Sequence, residues 1–390
     1  MPANLPPEAK AKLAKYSEAK TVEEKIRALE EFISAVPKHK GTENLLLWAR
    51  RRLAELREEL EVKKRKKVGG GPRFFVEKSG AGQVLLLGPP NSGKSSILAA
   101  LTNAKPEVAD YPFTTKTPQA GMVVYEDIQI QLVDTPPLLP WDPDSPVNGK
   151  VLGMARNADA LLLVFGLDDP SIDETVERVL EMLEDRGIIV SPRRGVVRIV
   201  KSREVGGIRV QGSGRLVGLT EDDVRKILSS YRIYNAVVEI EGEVTAEDIE
   251  AAVYMNMVRK KALALLNKAD MPGAREAFMK AARVLKGRGV PYKPVSALKK
   301  LGLDDVPKIL FDMLGVLRVY TKQPHKEPDP SPLVLPKGST VLDVAKAIHK
   351  DLARKFKYAK VWGKSVKYPG QRVGPEHVVE DKDVVEIHVR

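Results

Sequence analysis

Val84-Leu85-Leu86-Leu87-Gly88-Pro89-Pro90-Asn91-Ser92-Gly93-Lys94-Ser95 is the stretch on which the reading of this chain turns. Four aliphatic residues in a row, closed by Gly-Pro-Pro, predict a short buried strand. The next eight residues fit G-x-x-x-x-G-K-[ST], and Ser95–Leu101 predict the helix that must follow. In that context the backbone N–H groups from about Asn91 to Ser96 would wrap a β-phosphate, and the helix N-terminus would add a favourable dipole. Pro90, Asn91, Ser92, Gly93, Lys94, Ser95 and Ser96 are therefore expected to bind a nucleotide's phosphates. Lys94 would reach the β- and γ-phosphates as the catalytic cation, and Ser95 would ligate Mg²⁺.

Short apolar runs alternate with helical patterns outward from this loop. Ile128–Asp134, Ala160–Phe165, Ala262–Leu266 and Tyr292–Val295 predict core strands, and Asp173–Arg186, Arg275–Val284 and Asp304–Leu314 predict helices. That alternation argues for an α/β fold, a mostly parallel sheet with helices on both faces. Asn267-Lys268-Ala269-Asp270 stands just after one predicted strand, at the carboxyl edge where such sheets bind ligands. An Asp there can accept both the N1–H and the N2–H₂ of guanine, a donor pair adenine lacks. Ser296-Ala297, after the next strand, would offer a backbone N–H to guanine O6. Asp134 ends its strand where it can serve Mg²⁺, and Asp110-Tyr111-Pro112-Phe113-Thr114-Thr115 supplies hydroxyls for the same ion when a γ-phosphate is present. Thr115 is the favoured one, with a metal and a catalytic role.

Composition excludes other chemistries. Cysteine is absent, which removes disulfides, thiol nucleophiles and thiolate zinc sites. His39, His325, His349, His377 and His388 show no metalloprotease-like spacing. With no apolar run of 18 residues, no membrane span is expected, and Met1–Tyr16 does not read as a secretory signal, so a cytoplasmic location is expected. A net charge of +12 suits a polyanionic partner.

The domain plan is as follows. Residues 1–72 predict a helical hairpin, one helix after Thr21 and one after Thr42, ending in the basic run Lys63-Lys64-Arg65-Lys66-Lys67 and a glycine linker. Residues 73–317 predict the nucleotide-binding domain. It is interrupted at 187–259 by a small α/β insertion whose Arg193, Arg194, Arg198, Lys201 and Arg203 would meet polyanions. Residues 318–390 predict a β-grasp module: strands at Leu317–Thr321 and Pro332–Leu335, a helix capped by Ser339 and running to Leu352, then strands at Lys360–Trp362 and Val384–Val389.

The ordered set GPPNSGKS, DYPFTT, DTPP, NKAD and SA resembles the Obg-like class of GTPases. Lys38-His39-Lys40-Gly41-Thr42-Glu43 and Ser230-Tyr231-Arg232-Ile233-Tyr234-Asn235-Ala236 narrow this to a resemblance to the developmentally regulated GTP-binding (Drg) family, and the C-terminal part is similar to its TGS domain. The resemblance implies a P-loop GTPase that is linked to ribosomes and translation and contacts the ribosome or ribosomal or transfer RNA, in a family whose eukaryotic members are stabilised by dedicated partner proteins. It makes Asn91 a candidate K⁺ ligand beside the Mg²⁺ set Ser95, Thr115 and Asp134. One departure matters. The family pattern D-x-P-G is here Asp134-Thr135-Pro136-Pro137, and proline has no N–H to offer a γ-phosphate. Leu138 stands where a water-positioning Gln would help. Slow GTP hydrolysis is the expectation, with a nucleotide-gated scaffold that scarcely hydrolyses as the alternative and a P-loop ATPase as a third reading.

Overall fold

The computed structural model describes residues 6–19, 21–37, 45–46, 48–50, 52–53, 56–57, 75–102, 118–191, 195–201, 206–254 and 257–389. The basic run at 63–67, the 38–43 segment, the threonine loop at 110–115, and Arg193, Arg194 and Arg203 lie outside the described residues.

The chain opens with α1 (Pro7–Glu18) and α2 (Val22–Ala35). α2 begins at a capping box in which Thr21 Oγ1 accepts from the Glu24 N–H and the Glu24 carboxylate accepts from the Thr21 N–H. Such a cap is worth about 1 kcal/mol. α1 was not foreseen in the predicted hairpin, because a segment rich in Ala, Lys and Glu carries little apolar periodicity.

The nucleotide-binding domain is built from β1 (Gln83–Leu87), α3 (Lys94–Leu101), β2 (Gln119–Tyr125), β3 (Ile128–Asp134), α4 (Pro146–Asn157), β4 (Ala160–Gly166) and α5 (Ile172–Asp185). The insertion follows, with β5 (Val196–Lys201), β6 (Ile208–Gly212), α6 (Glu221–Ser230), β7 (Ala236–Glu241) and α7 (Ala246–Tyr254). The first domain then resumes with β8 (Lys261–Asn267), α8 (Ala274–Arg288), β9 (Tyr292–Pro294) and α9 (Val306–Leu314). Its sheet runs in the order β9-β8-β4-β1-β3-β2, parallel except for the β2–β3 pair. β4 is buried along all seven residues, as a central parallel strand covered on both faces must be. One core packs Leu85, Leu163 and Leu266 against α4, α5 and α8, and the other packs Leu86, Ile130 and Leu265 against α3 and α9.

The insertion holds a three-stranded sheet, β5-β7-β6. Where the chain leaves the first domain and where it returns, Ile188–Ile189 pairs with Val258–Arg259. Leu13, Leu29, Phe32 and Leu56 of the N-terminal helices share one buried cluster with Val197, Val224, Leu228 and Ala236 of the insertion. Lys10 Nζ also donates to Ser230 Oγ at 3.2 Å and lies over the Tyr231 ring. Two regions that read as separate in the sequence thus close one core.

The C-terminal domain comprises β10 (Val316–Thr321), β11 (Leu333–Pro336), α10 (Val341–Ile348), α11 (Lys350–Arg354), β12 (Phe356–Trp362), β13 (Gln371–Val373) and β14 (Asp383–Val389). Its strand order is β11-β10-β14-β12-β13, with α10 packed on one face through Val341 and Val344. The sequence expectation of a Ser339 cap is corrected here. Thr340 caps α10, with Asp343 as its reciprocal partner, while Ser339 Oγ donates to the Pro336 carbonyl at 2.7 Å. The single helix expected through Leu352 breaks at His349, whose backbone is extended and whose ring caps α11.

Candidate nucleotide site

β1 delivers the glycine-lysine loop to the carboxyl edge of the sheet, between β4 and β3. Two glycines are forced by close approach. A Cβ on Gly88 would stand 2.1 Å from the Val164 carbonyl oxygen, and one on Gly93, where φ is +89°, 2.2 Å from Asn267 Nδ2. Asn91 takes the left-handed region at φ 58° and is exposed at the loop's turn. Ser92 is buried and its hydroxyl donates to the Pro89 carbonyl at 2.9 Å. Pro90 and Ser96 flank the loop, both half-buried.

Lys94 is 6% exposed. Its ammonium donates to the Gly88 carbonyl at 3.0 Å and the Pro89 carbonyl at 2.9 Å. Desolvation brings its pKa down to about 8, only partly opposed by Asp134. Carbonyls alone do not balance a buried charge, so this cation is under-compensated until an anion arrives.

Asp134, fully buried at the end of β3, accepts from Ser95 Oγ at 2.5 Å through Oδ2. Its Oδ1 is buried with no hydrogen-bond partner among the described residues, and burial pushes its pKa up. A hard dication beside Ser95 would satisfy that orphaned oxygen. The described residues hold no cluster of three acidic or histidine side chains fit for a metal. The rest of such a shell would come from phosphate and water, which is how Mg²⁺ is usually held. Thr115 lies outside the described residues.

Asn267 ties the glycine-lysine loop to the loop that follows β9. Its Nδ2 donates to the Ser92 carbonyl at 3.0 Å, and its Oδ1 accepts from the Ala297 N–H at 3.0 Å. Lys268, in the left-handed region at φ 65°, donates to Asp168 Oδ2 at 2.6 Å. Asp270 is exposed, and the Ser296 hydroxyl holds its carboxylate below the usual range. An exposed, ionised carboxylate at this edge can accept two donors from a purine. The Ser296 hydroxyl also accepts from the Lys299 N–H at 3.0 Å, which fixes the loop carrying Ala297.

Three contributors escaped the sequence reading. Asp168 lies two residues beyond β4, and a Gly-Leu-Asp-Asp run at the end of a core strand was the signal available for it. Thr135 Oγ1 donates to the Leu86 carbonyl at 2.7 Å, pinning the backbone after Asp134 to β1. Asn148, fully buried on α4, accepts from the Leu139 N–H at 2.8 Å and donates to the carbonyls of Leu139 and Asp142. The segment after Asp134 is therefore fastened down: Pro136, Pro137 and Leu138 are buried, and the Leu138 N–H donates to the Gly88 carbonyl at 2.9 Å.

The family described as 50S ribosome-binding GTPase matches residues 83–193, the C-terminal region of that domain matches 205–316, and the TGS domain matches 317–389. The chain is 34% identical to the Xenopus laevis developmentally regulated GTP-binding protein 1 over 368 residues, covering 93% of this chain and 98% of that protein. The chain belongs to the developmentally regulated GTP-binding protein family. An uncharacterised GTP-binding protein of Methanocaldococcus jannaschii is 37% identical over 376 residues, 95% of this chain and 93% of its own. The solved Schizosaccharomyces pombe YchF GTPase aligns with a TM-score of 0.45 at 16% identity, over 80% of this chain and 100% of its own. The protein is thus a GTP-binding member of the Drg group of Obg-like GTPases, with a P-loop GTPase fold and a C-terminal TGS β-grasp domain. Among its described residues no helix is long and apolar enough to cross a membrane.

Proposed function

We propose that this Drg-family protein hydrolyses GTP to GDP and phosphate slowly and acts in the cytoplasm as a switch associated with the ribosome and translation. The observation that carries the guanine assignment is the Asn267 bridge. It ties the loop that would hold the phosphates to the segment that would meet the base, with Asp270 exposed three residues further on. Lys94 would trade its two carbonyls for phosphate oxygens and regain the charge balance that burial denies it. Ser95 and Asp134 would hold Mg²⁺, which supplies charge neutralisation on the phosphates when bound. Asn91, exposed at the turn, would meet a K⁺ ion. Higher turnover in KCl than in NaCl is expected, and equal rates would remove that role.

Slow turnover is supported by the segment after Asp134. Pro137 has no N–H, and Leu138 is committed to the core rather than to a water molecule. The ribosomal association draws on the match to the family of 50S ribosome-binding GTPases and on the net charge of +12. The scaffold reading stays in play on one observation: Asn148 and Thr135 lock the loop that other GTPases move. Single-turnover phosphate release with and without ribosomes tests both. A rate constant below ~10⁻² s⁻¹ alone, rising with ribosomes, supports the switch. Undetectable release in both arms, with nucleotide still bound, supports the scaffold. Pro137→Gly, which restores the N–H, should raise the rate at least about tenfold if that donor is what limits hydrolysis.

A further inference from the structure

The last strand of a sheet carries a row of unpaired backbone groups, and proteins ordinarily guard such edges with charges, Pro, bulges or brevity. This chain guards most of its own. In the nucleotide-binding sheet β9 is three residues long and carries Lys293 and Pro294. In the insertion the edge strand β5 carries Arg198 and Lys201, and β6 carries Arg209. In the TGS sheet β11 ends on Pro336, and β13 is three residues long with Arg372 at its centre. Among the described edge strands β2 is the exception. Its seven residues, Gln119-Ala120-Gly121-Met122-Val123-Val124-Tyr125, hold no charge and no Pro, and they pair with β3 without a register shift.

The hydrogen bonds of β3 show which groups of β2 are open. The Ala81 N–H donates to the Gln129 carbonyl at 2.8 Å, and the Gln131 N–H donates to the Gly82 carbonyl at 2.9 Å. The odd-numbered residues of β3 thus turn their backbone toward β1. Its even-numbered residues, Ile128, Ile130, Leu132 and Asp134, therefore bond their register partners Tyr125, Val123, Gly121 and Gln119. Ala120, Met122 and Val124 are left with N–H and C=O directed away from the sheet, and none of these groups has a partner among the described residues. The open stretch is bounded at both ends. Pro118 has no N–H, and the Glu126-Asp127 turn is held by Arg318. Along the stretch Val124 is 57% exposed.

We infer that β2 pairs with β2 of a second copy of this chain, antiparallel and in a register centred on Met122. An identical strand fits this edge because antiparallel pairing of a strand with itself is a two-fold operation, closed by one interface. In that register Ala120 faces Val124 of the second copy, and Met122 faces Met122 of the second copy. Open residues then meet only open residues, so every outward N–H and C=O finds a partner. A register shifted either way brings Pro118 or the Glu126 turn into the ladder and loses bonds. No like charges oppose each other across Gln119–Tyr125, and Val124 gains a cross-strand neighbour. The two nucleotide-binding sheets become continuous, and the joint begins beside each nucleotide site, since Gln119 is in register with Asp134. A strand pair alone buries less area than a standard interface of roughly 1,600 Å². The association is therefore weak, with a dissociation constant on the order of 10 µM. This inference does not depend on GTP hydrolysis or on the ribosome.

The test is sedimentation equilibrium of the full chain with GDP bound, from about 1 to about 300 µM. Wild type should show a monomer–dimer equilibrium. Met122→Lys and Met122→Glu each set like charges against each other at the two-fold axis, and each should weaken self-association at least about tenfold. Mixed in equal amounts, the two variants should associate about as well as wild type, because Lys then faces Glu. Both should keep wild-type fluorescent GDP affinity and melting temperature. Met122→Pro removes an outward N–H, leaves every bond to β3 in place, and should also weaken association about tenfold. Raising NaCl from ~0.1 to ~0.5 M should not weaken the wild-type dimer, because no ion pair joins the copies and each carries a net charge of +12. Wild-type protein that stays monomeric throughout the range overturns the proposal. So does a dimer that Met122→Lys leaves intact, which would place the interface elsewhere, or one that salt dissolves, which would be held by charge. Folded Lys and Glu variants that fail to associate with each other overturn the two-fold register.

Discussion

Lys94 and Arg318 are buried to nearly the same depth, at 6% and 2% exposure, and the protein treats them in opposite ways. Lys94 meets two backbone carbonyls, and its carboxylate neighbour Asp134 keeps one oxygen with no partner among the described residues. Arg318 is saturated. It makes a bidentate pair with Asp381 at 3.0 and 2.6 Å, reaches Glu126 at 2.5 Å and Asp127 at 2.9 Å, and lies over the Phe311 ring. Hydrogen bonding moves the Arg318 pKa up, with Asp381 the chief cause, whereas burial moves that of Lys94 down to about 8. The difference separates a binding site from a joint. A site leaves charge unbalanced so that a ligand is needed to complete it. A joint completes itself and fixes the TGS domain on the tip of the β2–β3 hairpin.

Removing each cation should break the comparison in a different assay. Lys94→Ala should cost about 3 kcal/mol of GDP binding, roughly 100-fold by calorimetry. The melting temperature of the nucleotide-free protein should hold or rise, since a desolvated charge is gone. Arg318→Met should leave GDP affinity unchanged and lower folding stability by on the order of 2 kcal/mol. That figure is below the cost for a fully buried pair, because the three acids left behind reach water. Equal effects of the two variants on binding and on stability would erase the distinction.

The pH dependence sharpens it. Lys94 titrates near 8 in the folded chain and at 10.5 when unfolded, so the native state holds fewer protons between those values. The stability of the nucleotide-free protein should therefore rise with pH through that window. Bound phosphates favour the charged amine. GDP affinity should then fall above pH 8, by up to about tenfold per unit, and Lys94→Ala should abolish the slope. The smallest effect is expected at the joint. Asp127→Asn should cost less than about 1 kcal/mol, because the Asp381 fork still holds Arg318. The Tyr320 hydroxyl, which Asp127 pushes up to about 12, should titrate closer to 10 by ultraviolet absorbance.

Much of the nucleotide site was legible because its chemistry is local. Eight contiguous residues make the glycine-lysine loop after β1, and four more, after a run of apolar residues, make the segment after β8 that is expected to meet a base. Asn148 was not legible. It sits on a helix that starts at Pro146 and contains Gly149 and Gly153, a composition that reads as loop. β2 was missed because an edge strand buries only part of one face and gives a broken alternation. The Ser339 cap failed by one residue, since Ser339 and Thr340 offer the same hydroxyl and only the placement of Asp343 chooses between them.

The alternation of strands and helices and the position of the glycine-lysine loop follow from residues close together in the chain, because hydrophobic period and turn chemistry act over a few residues. The union of the N-terminal helices with the insertion and the Arg318 joint connect residues between 63 and 240 positions apart. Only the folded chain brings these together, because burial, which sets the worth of each charge, is a property of three-dimensional packing and not of sequence neighbours.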